Sequence, residues 1–194
     1  MLKKILIANR GEIACRIAKT AKRLGIRTVG VFSEADKDAK HVQVMDEAYL
    51  IGGPKPQESY LRSERILEVA LKTRSEAIHP GYGFLSENAK FVTQLESEKI
   101  VFIGPPAKAI HSMGSKSESK FIMGNANVPI VPGYHGDKQE PDFLLQESKK
   151  MGFPVIIKAS LGGGGKGMRI VRHEKEFHDQ LDAAKREALK SFND

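Results

Sequence analysis

The sequence has little of several features that mark particular classes of protein. It contains one cysteine, Cys15, and no tryptophan in 194 residues. A single cysteine excludes an internal disulfide and is typical of a reducing compartment. No apolar run approaches the ~20 residues that a membrane span needs. We also expect no signal or transit segment before the first apolar run of this sequence. We therefore expect no membrane partner.

Positive charge is in excess, but it is dispersed. The formal net charge is +7, while 40% of the residues are hydrophobic and 28% charged, which is typical of one globular domain or two small ones. The excess favours anionic ligands. No Lys/Arg-rich tract occurs, and 7% aromatic residues are few for stacking bases. We therefore expect no nucleic-acid partner; a basic nucleic-acid-binding module is the less favoured alternative.

Glycine, in contrast, is concentrated in one loop. Residues 155–157 and 170–171 are β-branched, which favours strands, and between them lie Gly162, Gly163, Gly164, Gly165 and Gly167. Each ordered glycine costs roughly 0.5–1 kcal/mol relative to alanine, so a short turn would connect these strands at lower cost. Successive free amides form an anion-binding concavity, and Lys158 and Lys166 add positive charge. The pattern predicts a loop for an oligophosphate; a hairpin tip without a ligand is the alternative.

Two better-known phosphate motifs do not describe this loop. A P-loop has Ser or Thr after its lysine, whereas Lys166 is followed by Gly167. The glycines at 162, 164 and 167 do match the dinucleotide fingerprint as a string. That fingerprint opens a helix, however, and residues 168–171 have the pattern of a strand.

The first half of the sequence alternates apolar runs with helical periodicity. Strands are predicted at residues 3–8, 27–33, 47–51, 76–79 and 100–104. Successive βαβ units of this kind predict a doubly wound parallel sheet over residues 1 to about 112. Ser63 and Ser86 are the candidate N-caps of two of the helices.

Polar turns follow two of these strands. The turn Asn9–Glu12 contains one glycine, which argues against a nicotinamide-dependent dehydrogenase, and its spacing alone favours a plain strand-to-helix turn over a ligand site. Tyr82 stands between Gly81 and Gly83, either as a ligand wall or packed into its turn. His79 is interpreted as a strand-end histidine, because no partner stands at triad-like spacing. No histidine shows metal-ligand spacing.

The second half predicts a smaller unit. Helices are expected at about 107–113, 116–125, 140–150 and 174–190, with an extended segment at 128–132 and the two strands around the glycine loop. Taken alone, Lys116 at a helix start is an ordinary solvated lysine. Two strands and two helices make a thin domain, so we expect the chain to be cut off inside a larger fold.

Taken together, these residues resemble the amino-terminal part of the biotin carboxylase family. The matching segments run in order along the chain, at residues 7–14, 77–88, 102–105, 113–116 and 155–168. Within the family, residues 131–136 and 185–194 are most similar to the biotin-containing α subunits of 3-methylcrotonyl-CoA carboxylases. Propionyl-CoA and acetyl-CoA carboxylases, which share most of the other segments, are the alternative.

The resemblance implies a fold, an activity and partners. The α/β fold is a pre-ATP-grasp doubly wound sheet at 1–112, a helical linker at 113–130, and a partial ATP-grasp lid subdomain with the glycine-rich loop at 131–194. The activity is ATP-dependent carboxylation of biotin by bicarbonate via carboxyphosphate, with Mg²⁺ or Mn²⁺; another ATP-grasp ligase is the alternative. The partners are a biotin carboxyl carrier domain, a carboxyltransferase subunit and further copies in a homodimer or larger assembly. The compartment is the mitochondrial matrix in a eukaryote and otherwise the cytoplasm.

The resemblance also implies roles for individual residues. Tyr82 and Gly83 would lie near the biotin ureido ring, and Arg16 at a dimer interface. The family's catalytic residues and metal ligands come from beyond residue 194, so none is expected here, and this stretch alone is expected not to carboxylate biotin. The glycines would close as a lid over the phosphates, and Met168 would line the adenine pocket. The implied ATP-binding residues are Lys116, Lys158, Gly163, Gly164, Gly165, Lys166, Gly167 and Met168.

Overall fold

The computed structural model describes residues 2–114, 116–159 and 167–192, the side chains of residues 116, 117, 191 and 192 excepted. By its internal contacts the chain divides into a first unit, Met1–His111, and a second unit, Ser112–Asp194. None of the helices in the described ranges is both long and apolar enough to cross a membrane.

The first unit alternates strands with helices. Its elements are β1 (Lys4–Ile7), α1 (Gly11–Arg23), β2 (Arg27–Ser33), α2 (Lys40–Val44), β3 (Glu47–Gly52), α3 (Ser63–Thr73), β4 (Ala77–His79), α4 (Ala89–Ser97) and β5 (Val101–Phe102). Short 3₁₀ turns lie at Glu34–Asp36 and Pro56–Glu58. All five strands pair in parallel, in the order β3-β2-β1-β4-β5. The predicted doubly wound α/β fold is confirmed.

The strand order reverses beside β1, which places a crevice at its carboxyl end. The chain runs from β1 outward to β2 and β3, and then returns to β4 on the other side of β1. Ile7 and His79, the last residues of β1 and β4, are register partners. The turns after these two strands therefore begin side by side, at the point where open α/β sheets bind ligands.

Alternate residues of β1 enter two separate cores, because successive side chains of a strand point to opposite faces. Leu6 packs in a core that includes residues of α3 and α4, such as Ile66 and Phe91. Ile5 and Ile7 pack on the other face with residues of α1, such as Ile17. The sheet is thus covered on both sides, which explains why its strands read as continuous apolar runs.

Neither Ser63 nor Ser86 is the N-cap residue of its helix, so both predictions are wrong. Ser63 is the first residue of α3, and Arg62 precedes it without a side-chain cap. Helix α4 begins at Ala89, where the Oδ1 of Asn88 accepts a hydrogen bond from the Phe91 N–H at 3.0 Å. Backbone hydrogen bonds from Ser86 to Gly83 and from Asn88 to Leu85 close two successive turns first, so the helix starts later than the serine suggests.

The second unit is a two-stranded sheet with helices. Its elements are α5 (Ala107–Gly114, which contains the boundary), α6 (Lys116–Asn125), α7 (Pro141–Met151), β6 (Val155–Lys158), β7 (Met168–Val171) and α8 (Phe177–Phe192). The strands β6 and β7 are antiparallel. Val171, Phe177 and Leu181 form its buried core, against which side chains of α7 and β6 pack.

Candidate functional site

A cleft of about 380 Å³ opens where the strand order of the first unit reverses. Its walls are the turn after β1 with the start of α1, and the turn after β4. The lining residues are Asn9, Arg10, Gly11, Glu12, Ile13, Tyr82, Gly83 and Phe84. Asn9–Glu12, for which spacing alone favoured a plain turn, therefore lines the cleft together with Tyr82.

Asn9 joins the two turns of this cleft. Its side chain is buried, with a relative exposure of 3%, and its Nδ2 donates hydrogen bonds to the carbonyls of Pro80 at 2.7 Å and Tyr82 at 2.8 Å. Its Oδ1 accepts a hydrogen bond from the Arg10 N–H at 2.9 Å. Gly81 has a φ of +68°, and a Cβ there would lie 2.7 Å from Nδ2 of Asn9. The turn therefore requires glycine at 81 for its conformation and also for space.

Tyr82 presents its ring to the cleft. Its side chain is 60% exposed, so it is not packed into its own turn. The phenol donates a hydrogen bond to Oε1 of Glu12 at 2.9 Å, and this hydrogen bond raises the pKa of Tyr82. The structure places Tyr82 and Gly83 on the same wall, as an exposed aromatic ring beside a residue without a side chain.

Arg10 connects the cleft lining to a network of aromatic and polar side chains. Its guanidinium lies over the stacked rings of Tyr60 and Phe84, at 5.3 and 5.6 Å from their centroids, and 3.3 Å from the Asp36 carboxylate. Asp36 also accepts hydrogen bonds from the hydroxyls of Tyr60 at 2.7 Å and Ser33 at 2.8 Å. Burial alone would raise the pKa of Asp36, but the hydrogen bonds from Tyr60, Ser33 and Arg10 outweigh it, so this pKa is lowered.

Asp36→Asn is expected to reduce the free energy of unfolding by about 1–2 kcal/mol at neutral pH, because neutral hydrogen bonds replace charge-assisted ones. Since the pKa of Asp36 is lower in the folded state, its contribution is complete above the unfolded value of 3.8 and is lost as pH falls through the folded value. Urea unfolding at pH values from about 7 down to 3 should show the difference between wild type and variant shrinking below about pH 4. The exposed Asp38→Asn is the control; an equal loss there would contradict the network's role.

His41 holds the first residue of α1. The imidazole is almost fully buried, its Nδ1 accepts a hydrogen bond from the Gly11 N–H at 3.4 Å, and its Nε2 lies 3.3 Å from the Val31 carbonyl. Burial lowers the pKa of His41, which favours the neutral ring that this pairing requires. Nothing in the local sequence indicates this contact, because α2, which carries His41, is a five-residue helix without a clear periodic pattern.

His79 agrees with its interpretation as a strand-end histidine. Its Nδ1 accepts a hydrogen bond from the Gly81 N–H at 3.1 Å. Burial, with the positive charge of Arg16, lowers the pKa of His79. The described residues contain no group of three His, Cys, Asp or Glu side chains that could hold a metal ion.

The base of the glycine loop is a closed hairpin in the second unit. Lys158 and Met168 are register partners, and the Ala159 N–H donates a hydrogen bond to the Gly167 carbonyl at 3.1 Å. Gly167 has a φ of +68°, and a Cβ there would lie 3.0 Å from the Cβ of Ala159. The structure therefore brings together Lys158, Gly167 and Met168.

Five of the predicted nucleotide-binding positions are not placed by this geometry. Gly163, Gly164, Gly165 and Lys166 lie outside the described residues. Lys116 is described through its backbone, as the first residue of α6.

One face of the β6–β7 hairpin is open. Ile156 and Ile170 are paired across the strands and are 51% and 52% exposed, and Lys158 and Met168 continue the same face. On the other face, Arg169 of β7 forms an ion pair with Glu187 of α8 at 2.7 Å. The open face thus offers an apolar strip that ends in an ammonium beside the loop, a combination suited to a flat ring bearing an anionic tail.

Comparison with known proteins assigns both units. Residues 1–110, more than half of the chain, match the family "Biotin carboxylase, N-terminal domain". The chain belongs to the biotin carboxylase family. Residues 115–194 of this biotin carboxylase chain match the family "Carbamoyl-phosphate synthase L chain, ATP binding domain". The family resemblance predicted from the sequence is confirmed.

The sequence similarity to known relatives extends along the whole of this biotin carboxylase chain. It is 57% identical over 191 residues to the mitochondrial methylcrotonoyl-CoA carboxylase subunit alpha of Rattus norvegicus, covering 98% of the chain and 27% of the relative. It is 51% identical over 194 residues to the propionyl-CoA carboxylase alpha chain of Ruegeria pomeroyi, covering 100% and 28%. The chain therefore spans about a quarter of the length of these curated relatives.

A solved biotin carboxylase domain shares the fold. The domain is that of 2-oxoglutarate carboxylase from Hydrogenobacter thermophilus, a dimer in complex with MgADP, ADP and bicarbonate. The TM-score is 0.90 at 48% sequence identity, and the match covers 100% of this chain and 42% of that one.

Proposed function

We propose that this chain is the amino-terminal part of an enzyme that carboxylates biotin with bicarbonate, driven by ATP through carboxyphosphate. The observation that carries the proposal is the match, over the whole chain and at 48% identity, to a biotin carboxylase domain that was crystallised with MgADP and bicarbonate. Two features of the described residues support it: the open aromatic wall of the first unit, and the hairpin of the second unit that carries Lys158 at the end of β6.

The hairpin fits a nucleotide on geometric grounds. Lys158 offers an ammonium to the phosphates, and the side chain of Met168 continues the apolar strip where a purine would lie. Gly167, directly before β7, has a left-handed φ, and a Cβ there would crowd Ala159 at 3.0 Å, so this position favours glycine. In this proposal Lys116, Gly163, Gly164, Gly165 and Lys166 complete the phosphate contacts, because amides and lysines stabilise the charge that develops in phosphoryl transfer. Mg²⁺ or Mn²⁺ would neutralise phosphate charge when bound.

The two units then have separate tasks. Residues 1–112 would form the pre-ATP-grasp domain, in which Tyr82 and Gly83 border the biotin ureido ring. Residues 113–130 would form a helical linker, and residues 131–194 part of an ATP-grasp domain whose glycine loop closes as a lid. Closure would exclude water from carboxyphosphate, which water would otherwise hydrolyse.

The proposal includes partners and a preferred acceptor. Biotin would arrive on a carrier domain, and a carboxyltransferase subunit would pass the carboxyl group to an acyl-CoA. The higher identity to a methylcrotonoyl-CoA carboxylase subunit, 57% against 51% for a propionyl-CoA carboxylase chain, favours a 3-methylcrotonyl-CoA-type enzyme of leucine degradation. A homodimer is supported by the dimeric domain from Hydrogenobacter thermophilus, with Arg16 proposed at its interface. The mitochondrial names of the eukaryotic relatives support the matrix in a eukaryote; the cytoplasm is proposed otherwise.

The full-length protein should cleave ATP only when bicarbonate is present, and much faster when biotin is added. The measurement is phosphate release with free biotin as the acceptor, omitting one substrate at a time, together with ¹⁴C-bicarbonate incorporation into biotin. ATP cleavage that ignores biotin and yields carbamoyl phosphate on adding ammonia would instead identify another ATP-grasp ligase.

A further inference from the structure

Two contacts hold Tyr82 at opposite ends. Asn9 binds the carbonyl of Tyr82 and that of Pro80, and Glu12 accepts the hydrogen bond from the Tyr82 phenol. We propose that Asn9 and Glu12 are positioning residues that fix the Tyr82 ring for the biotin ureido ring. This inference rests on the proposed function, because it takes Tyr82 to border biotin.

Asn9 sets the backbone position of Tyr82. Both hydrogens of its amide nitrogen are used, on the carbonyls of Pro80 and Tyr82, and its oxygen accepts from the backbone of Arg10. An amide is the side chain that can donate twice and accept once from one buried point. Gly81 leaves the space that this amide occupies. The turn after β4 is thereby tied to the turn after β1, which belongs to the central strand of the sheet.

Glu12 sets the other end of Tyr82. It lies in the first turn of α1, whose first residue, Gly11, is held by the buried His41. An acidic side chain is favoured in the first turn by the helix dipole. Its carboxylate therefore starts from a fixed backbone, and a charge-assisted hydrogen bond of 2.9 Å holds the phenol.

The consequence is an aromatic surface that is ready before its ligand arrives. The ring is 60% exposed and would be free to change rotamer without the contact to Glu12. Binding to a ring already in place loses less side-chain entropy. The contacts belong to the first unit, so their loss should weaken biotin binding and leave the nucleotide site, in the second unit, unaffected.

The test is a cycle of Glu12→Ala, Tyr82→Phe and the double variant in the full-length enzyme. Each single variant should raise the KM for free biotin about 3- to 10-fold, with the KM for ATP unchanged, because the Tyr82–Glu12 hydrogen bond is exposed to solvent and contributes about 0.5–1.5 kcal/mol. The double variant should be no worse than the poorer single variant, because both changes remove the same bond. Unchanged biotin KM values, or effects that simply multiply, would overturn the inference. Glu34→Ala, an exposed acid on the short 3₁₀ turn after β2, is the matched control.

Asn9→Ala adds a second measurement. It should raise the KM for biotin about tenfold, since the buried hydrogen bond to Pro80 and the partly buried one to Tyr82 are both lost, again without a change for ATP. Thermal unfolding shows whether this variant is folded; if it is not, the cycle at Glu12 and Tyr82 decides. A wild type without biotin-dependent ATP cleavage refutes the proposed function, whereas an active wild type whose variants match it refutes only the positioning roles.

Discussion

Gly81→Ala is expected to lower the free energy of unfolding by about 2–4 kcal/mol, whereas Gly83→Ala should lower it by about 1–2 kcal/mol. Both glycines have a left-handed φ, +68° and +66°, so both substitutions carry the same backbone strain. Only the Cβ at 81 would collide, 2.7 Å from Nδ2 of Asn9, while nothing lies within 4 Å of a Cβ at 83. Urea unfolding followed by circular dichroism measures both variants.

The pair separates strain from contact. If the two alanine variants lost the same stability, the close approach of Asn9 would contribute nothing and left-handed strain would account for both. If Gly81→Ala loses more stability than Gly83→Ala, the difference is due to Asn9. Its amide would have to move away from the carbonyls of Pro80 and Tyr82, and both hydrogen bonds would be lost. Asn9→Ala in the Gly81→Ala background should then add little, because the same hydrogen bonds are already lost.

The sheet could be predicted from the sequence because parallel strands that are covered on both faces appear as short, continuous apolar runs. Leu6 and Ile7 are neighbours in β1 that point to opposite faces, and both are apolar, so the strand pattern needs no knowledge of the partner strand. The N-caps could not be placed in the same way. A serine and an asparagine two residues apart can both cap, and the backbone turns between Gly83 and Asn88 decide which does.

The contacts of the cleft could not be predicted from the sequence for a different reason. The hydrogen bonds of Asn9 to Pro80 and Tyr82 join residues more than seventy positions apart, and no periodicity relates them. The same is true of His41, which holds Gly11 thirty positions away. The turn Asn9–Glu12 looked plain because its partners Pro80 and Tyr82 come from the turn after another strand, β4. Pairing the ends of β1 and β4 first, as the strand order requires, is the step that would have found them.

Lys158→Met in the full-length enzyme is expected to raise the KM for ATP about 10- to 100-fold, because a charge-assisted hydrogen bond to phosphate contributes about 1.5–3 kcal/mol. Lys158 ends β6, opposite Met168 and one residue before the hydrogen bond that closes the loop base. Methionine keeps most of the length and the apolar stem of the side chain and removes the charged ammonium group. Steady-state phosphate release at varied ATP and saturating biotin gives the constant.

The control is Lys175→Met, which removes an exposed lysine from the 3₁₀ turn Glu174–Glu176 that precedes α8, and it should leave the KM for ATP unchanged. The KM for biotin should stay constant in both variants, because Tyr82 lies in the other unit. If Lys158→Met left the KM for ATP at its wild-type value, the ammonium at the end of β6 would not face phosphate. The proposal that the exposed strip of Ile156, Ile170 and Met168 binds the purine of ATP would then lose its support, and the β6–β7 hairpin would no longer be a candidate nucleotide site.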